Sequence, residues 1–265
     1  MRNKNQLLRW LSWIGLVSLF SVACWFLSQW QFSRQEEVSA QNRIVEKNYD
    51  ASPVALESLL QVDQSWNPEM EYRPVKLIGQ YTDLVYLIRN RPYDGNPGFL
   101  QLAEFRTKSG NSFWIERGWL PTGNLQDSPD AIPSLDSNPR EIIVRLRKAE
   151  AQSDRSAPEG QLANIDLQLA SAKLDSANVY TQAYGRLVTE SNPLPRGIDL
   201  GKPELSEGNH LSYALQWIVF GLMAIGAVIW NINQDRRRTA GLPPKKLKSL
   251  NRDRDAEVED ELLDS

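Results

Sequence analysis

The sequence predicts a membrane protein in which two transmembrane helices flank a mostly antiparallel β (α+β) extracytoplasmic domain. Three observations predict it. Two long apolar stretches without charge lie near the ends of the 265-residue chain, the middle is rich in period-two runs of β-branched and aromatic residues, and basic residues gather just outside the apolar stretches. Composition narrows the chemistry further. One histidine, His210, and one cysteine, Cys24, cannot build a zinc or copper cage that needs three or four such ligands. They permit a catalytic triad only through His210 and exclude an intrachain disulfide. With 30 basic and 33 acidic residues the net charge is -3, so nothing global points to a nucleic-acid partner.

Residues 1–9 form a short head, expected in the cytoplasm. Residues 10–33 carry no charge, and Leu11 to Leu27 reads LSWIGLVSLFSVACWFL between Trp10 and Trp30. A spanning helix needs roughly 20 apolar residues, and tryptophan suits both interfaces. Arg2, Lys4 and Arg9 also fit the basic start of a cleaved secretory signal. The apolar run is long for such a signal, however, and the nearest small-residue site, Val38-Ser39-Ala40, lies beyond Arg34, Glu36 and Glu37. An anchor is expected.

The domain between the spans occupies residues 34–209, with 19 basic and 25 acidic residues from Arg34 to His210 and no cysteine. An oxidising compartment would pose it no redox problem. Gln35 to Asn48 reads as a continuation of the first helix, and Ser52-Pro53 as an N-cap and first helical position before VALESLL. Strands follow as YRPVKLIGQY from Tyr72, LVYLIR from Leu84, GFLQLAEFRT from Gly98 and SFWIERGWLP from Ser112. Lys108-Ser109-Gly110-Asn111 supplies a hairpin turn between the last two. A fifth strand is EIIVRLRKAE from Glu141. IDLQLASAKL then has helical spacing with Asp166 near its start, and NVYTQAYGRLVTE from Asn178 reads as a final strand.

A second uncharged stretch runs from Gly208 to Gln234 and contains YALQWIVFGLMAIGAVIW, which predicts a transmembrane helix over residues 210–233. Arg236, Arg237 and Arg238 follow it, then Lys245, Lys246 and Lys248. The positive-inside rule therefore puts both termini of this multi-pass protein in the cytoplasm. The absence of an Arg- and Ser-rich transit segment favours a bacterial plasma membrane over the mitochondrial inner membrane. Residues 234–265, with few aromatics and a basic half followed by an acidic one, are expected to be a disordered tail.

No phosphate-loop, dinucleotide, zinc-protease or nucleophile-elbow pattern occurs. No enzyme is expected, and the many carboxylates read as a solvated face. Arg145, Arg147 and Lys148 offer an anion site, though alternating arginines more often form the wet face of a strand. In Arg117-Gly118-Trp119-Leu120-Pro121 the glycine permits close approach, while the arginine and tryptophan offer pairing and stacking; periodicity alone favours a strand end with a bulge. Asn209 as N-cap places His210 in the first turn of the second helix, with Tyr213 and Trp217 on the same face. An imidazole there is biased toward its neutral form and could ligate a haem iron. Met223, about 20 Å along the helix, is too far to be an opposite ligand. Read from residue physics alone, an interfacial aromatic belt is the plainer account.

Glu71-Tyr72-Arg73-Pro74-Val75 with Gly79 and Tyr81, Gly98 with Arg117-Gly118-Trp119 and Pro121, and Asn209-His210-Leu211 with Tyr213 and Trp217 occur in this order between two spans. From about Leu11 to Trp230 the arrangement resembles the Surfeit locus family of cytochrome oxidase assembly factors. It departs from the family pattern at Glu116 and Glu104, where asparagine and proline are usual. The resemblance implies help in assembling the haem-copper (aa3-type) cytochrome c oxidase, by receiving haem a and passing it to the large catalytic subunit. Bacterial relatives are similar in binding haem through the histidine that aligns with His210, which implies axial ligation by His210 and ring contact from Tyr213 and Trp217. Arg73 and Arg117 would serve haem propionates or simply the fold, the latter being favoured. The partners implied are cytochrome c oxidase subunits, haem A synthase and the lipid bilayer, with no nucleic acid. The competing readings are a membrane-anchored scaffold or a sensor, neither binding haem.

Overall fold

The computed structural model describes residues 4–124, 128–174 and 178–243. It divides into two compact units, one built from the two ends of the chain up to Glu37 and from Glu207 onward, the other from Val38–Ser206.

In the first unit α1 (Lys4–Asn48) and α4 (His210–Thr239) are both long and apolar enough to cross a membrane. No proline precedes Pro53, so nothing interrupts α1. Its residues from Val38 onward belong to the second unit. Small residues are buried in this unit: Cys24 and Ser28 of α1, Ala214 and Gly221 of α4. A Cβ added to Gly221 would lie 3.6 Å from that of Cys24, the close approach that small side chains allow between apolar helices. At the far end Arg9 Nη2 meets Asp235 Oδ2 at 2.5 Å, and Trp10 Nε1 donates to the same oxygen at 3.1 Å. The large apolar side chains point outward: Leu19 is 70%, Phe26 67% and Leu222 63% exposed. α4 continues beyond residue 233 to Thr239, so the expected tail begins as helix, with Arg236, Arg237 and Arg238 at the end whose partial charge favours cations. The disorder expected from residue 244 onward lies outside the described residues.

The second unit is built on a five-stranded barrel. β2 (Pro74–Ile88) pairs antiparallel with β3 (Gly98–Thr107), β3 with β4 (Ser112–Pro121), and β4 parallel with β7 (Ala183–Glu190). β7 pairs antiparallel with β5 (Arg140–Lys148), which returns to the first half of β2 and closes the ring. This is a Greek-key barrel with the strand order of the OB fold. The sheet is thus not antiparallel throughout. Besides the β4–β7 seam, the short β1 (Val54–Ala55) and β6 (Gln161–Leu162) lie parallel to β2.

Three expected elements change. The strands foreseen from Tyr72 and from Leu84 are one strand, β2, whose register shifts between Tyr81 and Val85; the bend keeps both halves against the barrel. Helix α2 covers only Leu56–Leu59, because Val54 and Ala55 pair with Val75 and Lys76 instead of starting a helix at Pro53. The final strand starts at Ala183. In contrast Asp166 caps α3 (Leu167–Ser171), accepting hydrogen bonds from the amides of Gln168 and Leu169.

Two apolar layers result. Tyr81, Phe105, Phe113, Ile115, Ile142 and Leu146 belong to one buried cluster, and Trp114, Tyr184, Ile165 and Leu167 to a second. Alternate residues of β4 enter different clusters, and Trp114 Nε1 donates to Ser171 Oγ of α3 at 3.0 Å. β3 and β4 are therefore covered on both faces. This overturns the solvated reading for two strand carboxylates, since Glu104 and Glu116 are each 1% exposed.

Candidate functional site

Gly208, at φ +64°, turns the chain into α4, and His210 is the first helical residue. Asn209 occupies the cap position, but its side chain makes no capping bond. The imidazole is half-buried. Its Nδ1 lies 2.9 Å from Oε1 of Gln31 on α1. With the amide assigned this way round, Gln31 accepts from Nδ1–H, and the neutral ring in that tautomer has its lone pair on Nε2. Nε2 has no hydrogen-bond partner among the described residues. Gly208 lies on that side of the ring, where a Cβ would stand 3.4 Å from Cδ2 and 3.5 Å from Nε2. Glycine tolerates the positive φ here, and a Cβ in its place would be in ordinary van der Waals contact with the ring.

Tyr213 is 50% exposed one turn further on, and half-buried Trp217 stands edge-on to Phe220 with ring centroids 5.8 Å apart. An imidazole with one nitrogen anchored and the other without a hydrogen-bond partner among the described residues, on a helix that also carries Tyr213 and Trp217, could serve a flat ligand carrying a metal. Gln35 Nε2 also donates to Glu207 Oε2 at 3.1 Å, a second polar link close in sequence to the first. Sequence reasoning singled out His210, Tyr213 and Trp217 because their spacing puts them on one helix. It missed Gln31 and Gly208; the only signal for Gln31 was an amide beside Trp30 at the end of an apolar run.

The remaining candidates lie in the second unit, where the charges of Arg117, Arg145 and Arg147 are engaged. Arg117 has no exposed surface. Its Nη2 donates to Glu190 Oε1 at 3.0 Å and its Nη1 to the Pro195 carbonyl at 3.3 Å, while the guanidinium lies 4.9 Å from the Tyr81 ring centre. Arg140 holds the other Glu190 oxygen at 3.1 Å. Burial pushes the Tyr81 phenol up to about 12, the nearby Arg117 acting against it. This geometry gives Arg117 a role in the fold and no surface for a propionate. Gly118, at φ +106°, admits the backbone of residues 197–198; a Cβ would fall 2.6 Å from the Gly197 carbonyl oxygen. Trp119 Nε1 donates to the Arg91 carbonyl at 2.5 Å, and its ring covers Gly98. The Arg-Gly-Trp segment therefore knits a strand end to the chain crossing it.

Arg73 is half-buried, with its backbone bonded to Met70 and Leu146. Arg145 stacks on Tyr49, 3.6 Å from the ring centre, and Arg147 donates to Tyr72 Oη at 2.6 Å and pairs with Glu71. Burial raises the Glu71 carboxyl above the usual carboxylate range against the pull of Arg147. Arg145 and Arg147 are neither a free anion site nor a wet face. A cavity of about 430 Å³ opens beside Arg147, Lys148, Trp66 and Leu205.

A family model described as the SURF1 family matches residues 18–222. An uncharacterised SURF1-like protein of Mycobacterium bovis is 30% identical over 244 residues, which cover 89% of this chain and 89% of that relative. An uncharacterised SURF1-like protein of Mycobacterium tuberculosis matches with the same identity and coverage.

Proposed function

This chain belongs to the SURF1 family, and from that premise we propose that it is an assembly factor for the haem-copper (aa3-type) cytochrome c oxidase, binding haem a in transit and handing it to the large catalytic subunit. The family is linked to cytochrome oxidase assembly and is not a known enzyme class. In this reading α1 and α4 anchor the protein in a bacterial plasma membrane with both termini cytoplasmic and the barrel domain outside. The outward apolar faces of both helices support an anchor, because water would solvate them poorly. Haem A synthase would supply the cargo.

One observation carries the haem reading: His210 Nδ1 is held by Gln31, while Nε2 has no hydrogen-bond partner among the described residues. Haem a supplies an iron that accepts an electron pair, and the rest of the work falls to the chain. His210 would give the pair, Tyr213 and Trp217 would offer apolar surface for the ring, and with a sole histidine this chain could offer the iron only one imidazole. Single ligation suits release to a partner that binds more strongly.

The test is the absorbance of full-length protein purified in detergent from cells making haem a. The wild type should carry the haem a bands, and His210→Ala should lose most of them. Bands unchanged in His210→Ala would sink the ligand assignment and favour the scaffold reading.

A further inference from the structure

We infer that Gln31 is a positioning residue for His210: its amide oxygen holds the Nδ1 proton, fixes the tautomer with Nε2 bare, and aims that nitrogen past Gly208. The proposal rests on the reading of His210 as a ligand. It also stands on geometry of its own, since Nδ1 and Gln31 Oε1 are 2.9 Å apart and join residues 179 positions apart in the sequence.

Three features make the contact more than a chance surface bond. A histidine bound to a metal through one nitrogen usually donates the other N–H to a carbonyl or carboxylate, and removing that acceptor weakens binding roughly 10- to 100-fold. An amide supplies the acceptor without charge, so it orients the ring without favouring the doubly protonated imidazolium, which has no lone pair to give. Gly208 places only backbone beside the edge that this tautomer exposes; a Cβ there would be in van der Waals contact with the ring, 3.5 Å from Nε2.

The sole histidine makes the test direct, because histidine-selective ¹⁵N labelling of full-length protein in detergent gives one imidazole and needs no assignment. Spectra are taken without haem, at alkaline pH where the ring is neutral, for wild type, Gln31→Met and Gln31→Glu. Methionine keeps the length and removes the acceptor, while glutamate keeps an acceptor. Wild type and Gln31→Glu should show a protonated Nδ1 and a bare Nε2; Gln31→Met should shift toward the opposite tautomer. A wild-type Nε2–H, or a Gln31→Met spectrum identical to wild type, overturns the proposal. Added protohaem should then bind Gln31→Met roughly 10- to 100-fold more weakly than wild type. Equal affinities overturn the link to haem. Failure of the haem reading would appear separately, as unchanged bands in His210→Ala with the tautomer result intact.

Discussion

Arg117, Glu190 and Arg140 show how a buried charge takes its meaning from partners far away in the chain. Glu190 is held between the two arginines, at 3.0 Å and 3.1 Å, and Arg140 also pairs with Asp136. Removing one member strands the others in a medium that solvates them badly, which costs about 3–5 kcal/mol. Arg117→Met should therefore lower the urea unfolding midpoint strongly, whereas a haem-propionate role would predict lost haem bands with little change in midpoint. The half-exposed pair Lys76–Glu141, at 3.6 Å, should contribute far less. Neighbours in the sequence could not reveal this network, because the partner of Arg117 lies 73 positions away. Glu104 and Glu116 were misread for the same reason. Their partners, Thr82 and Ser112 for the first and Arg186 for the second, come from other strands.

Period-two patterning identified β3 and β4 with their ends, and the Gly110 turn joined them as expected. Both the alternation and the turn are local, so they survive in the sequence. The bend that makes one strand of β2 comes from pairing with β3, and the parallel β4–β7 seam joins strands separated by β5 and α3; neither has a local signature. The seam has two paired positions, Ile115 with Gly185 and Glu116 with Arg186. At the second, Arg186 Nε donates to both Glu116 oxygens, at 3.1 Å and 2.9 Å, so an ion pair reinforces the shortest contact in the ring. β4 also depends on Gly118. Gly118→Ala adds a methyl where the Gly197 carbonyl stands and strains a positive φ, a cost of at least about 1–3 kcal/mol. Thermal unfolding of the variant should begin several degrees below wild type; an unchanged transition would refute the close crossing.

The arrangement of two long apolar helices around a β-rich domain was legible because hydropathy is summed over long windows. The candidate site was half legible: His210, Tyr213 and Trp217 share one helix, whereas Gln31 reaches His210 from the other. Orientation can be checked with cysteine labelling, since Cys24 is only 2% exposed and should stay silent. Ser109→Cys, in the exposed turn between β3 and β4, should react with an impermeant maleimide on intact spheroplasts. Ser249→Cys in the tail should react only after lysis, and the reverse pattern would overturn the proposed topology.

Each of the five barrel strands has a hydrogen-bonded neighbour on both sides, and β2 is further flanked by β1 and β6. The domain therefore has little spare backbone to lend. None of the five ring strands is without a partner on either side, so the free edges among the described strands are chiefly those of the two-residue β1 and β6. Recognition of a partner by this domain would then rest mainly on side chains and loops, and single surface substitutions could change it while the barrel stays intact.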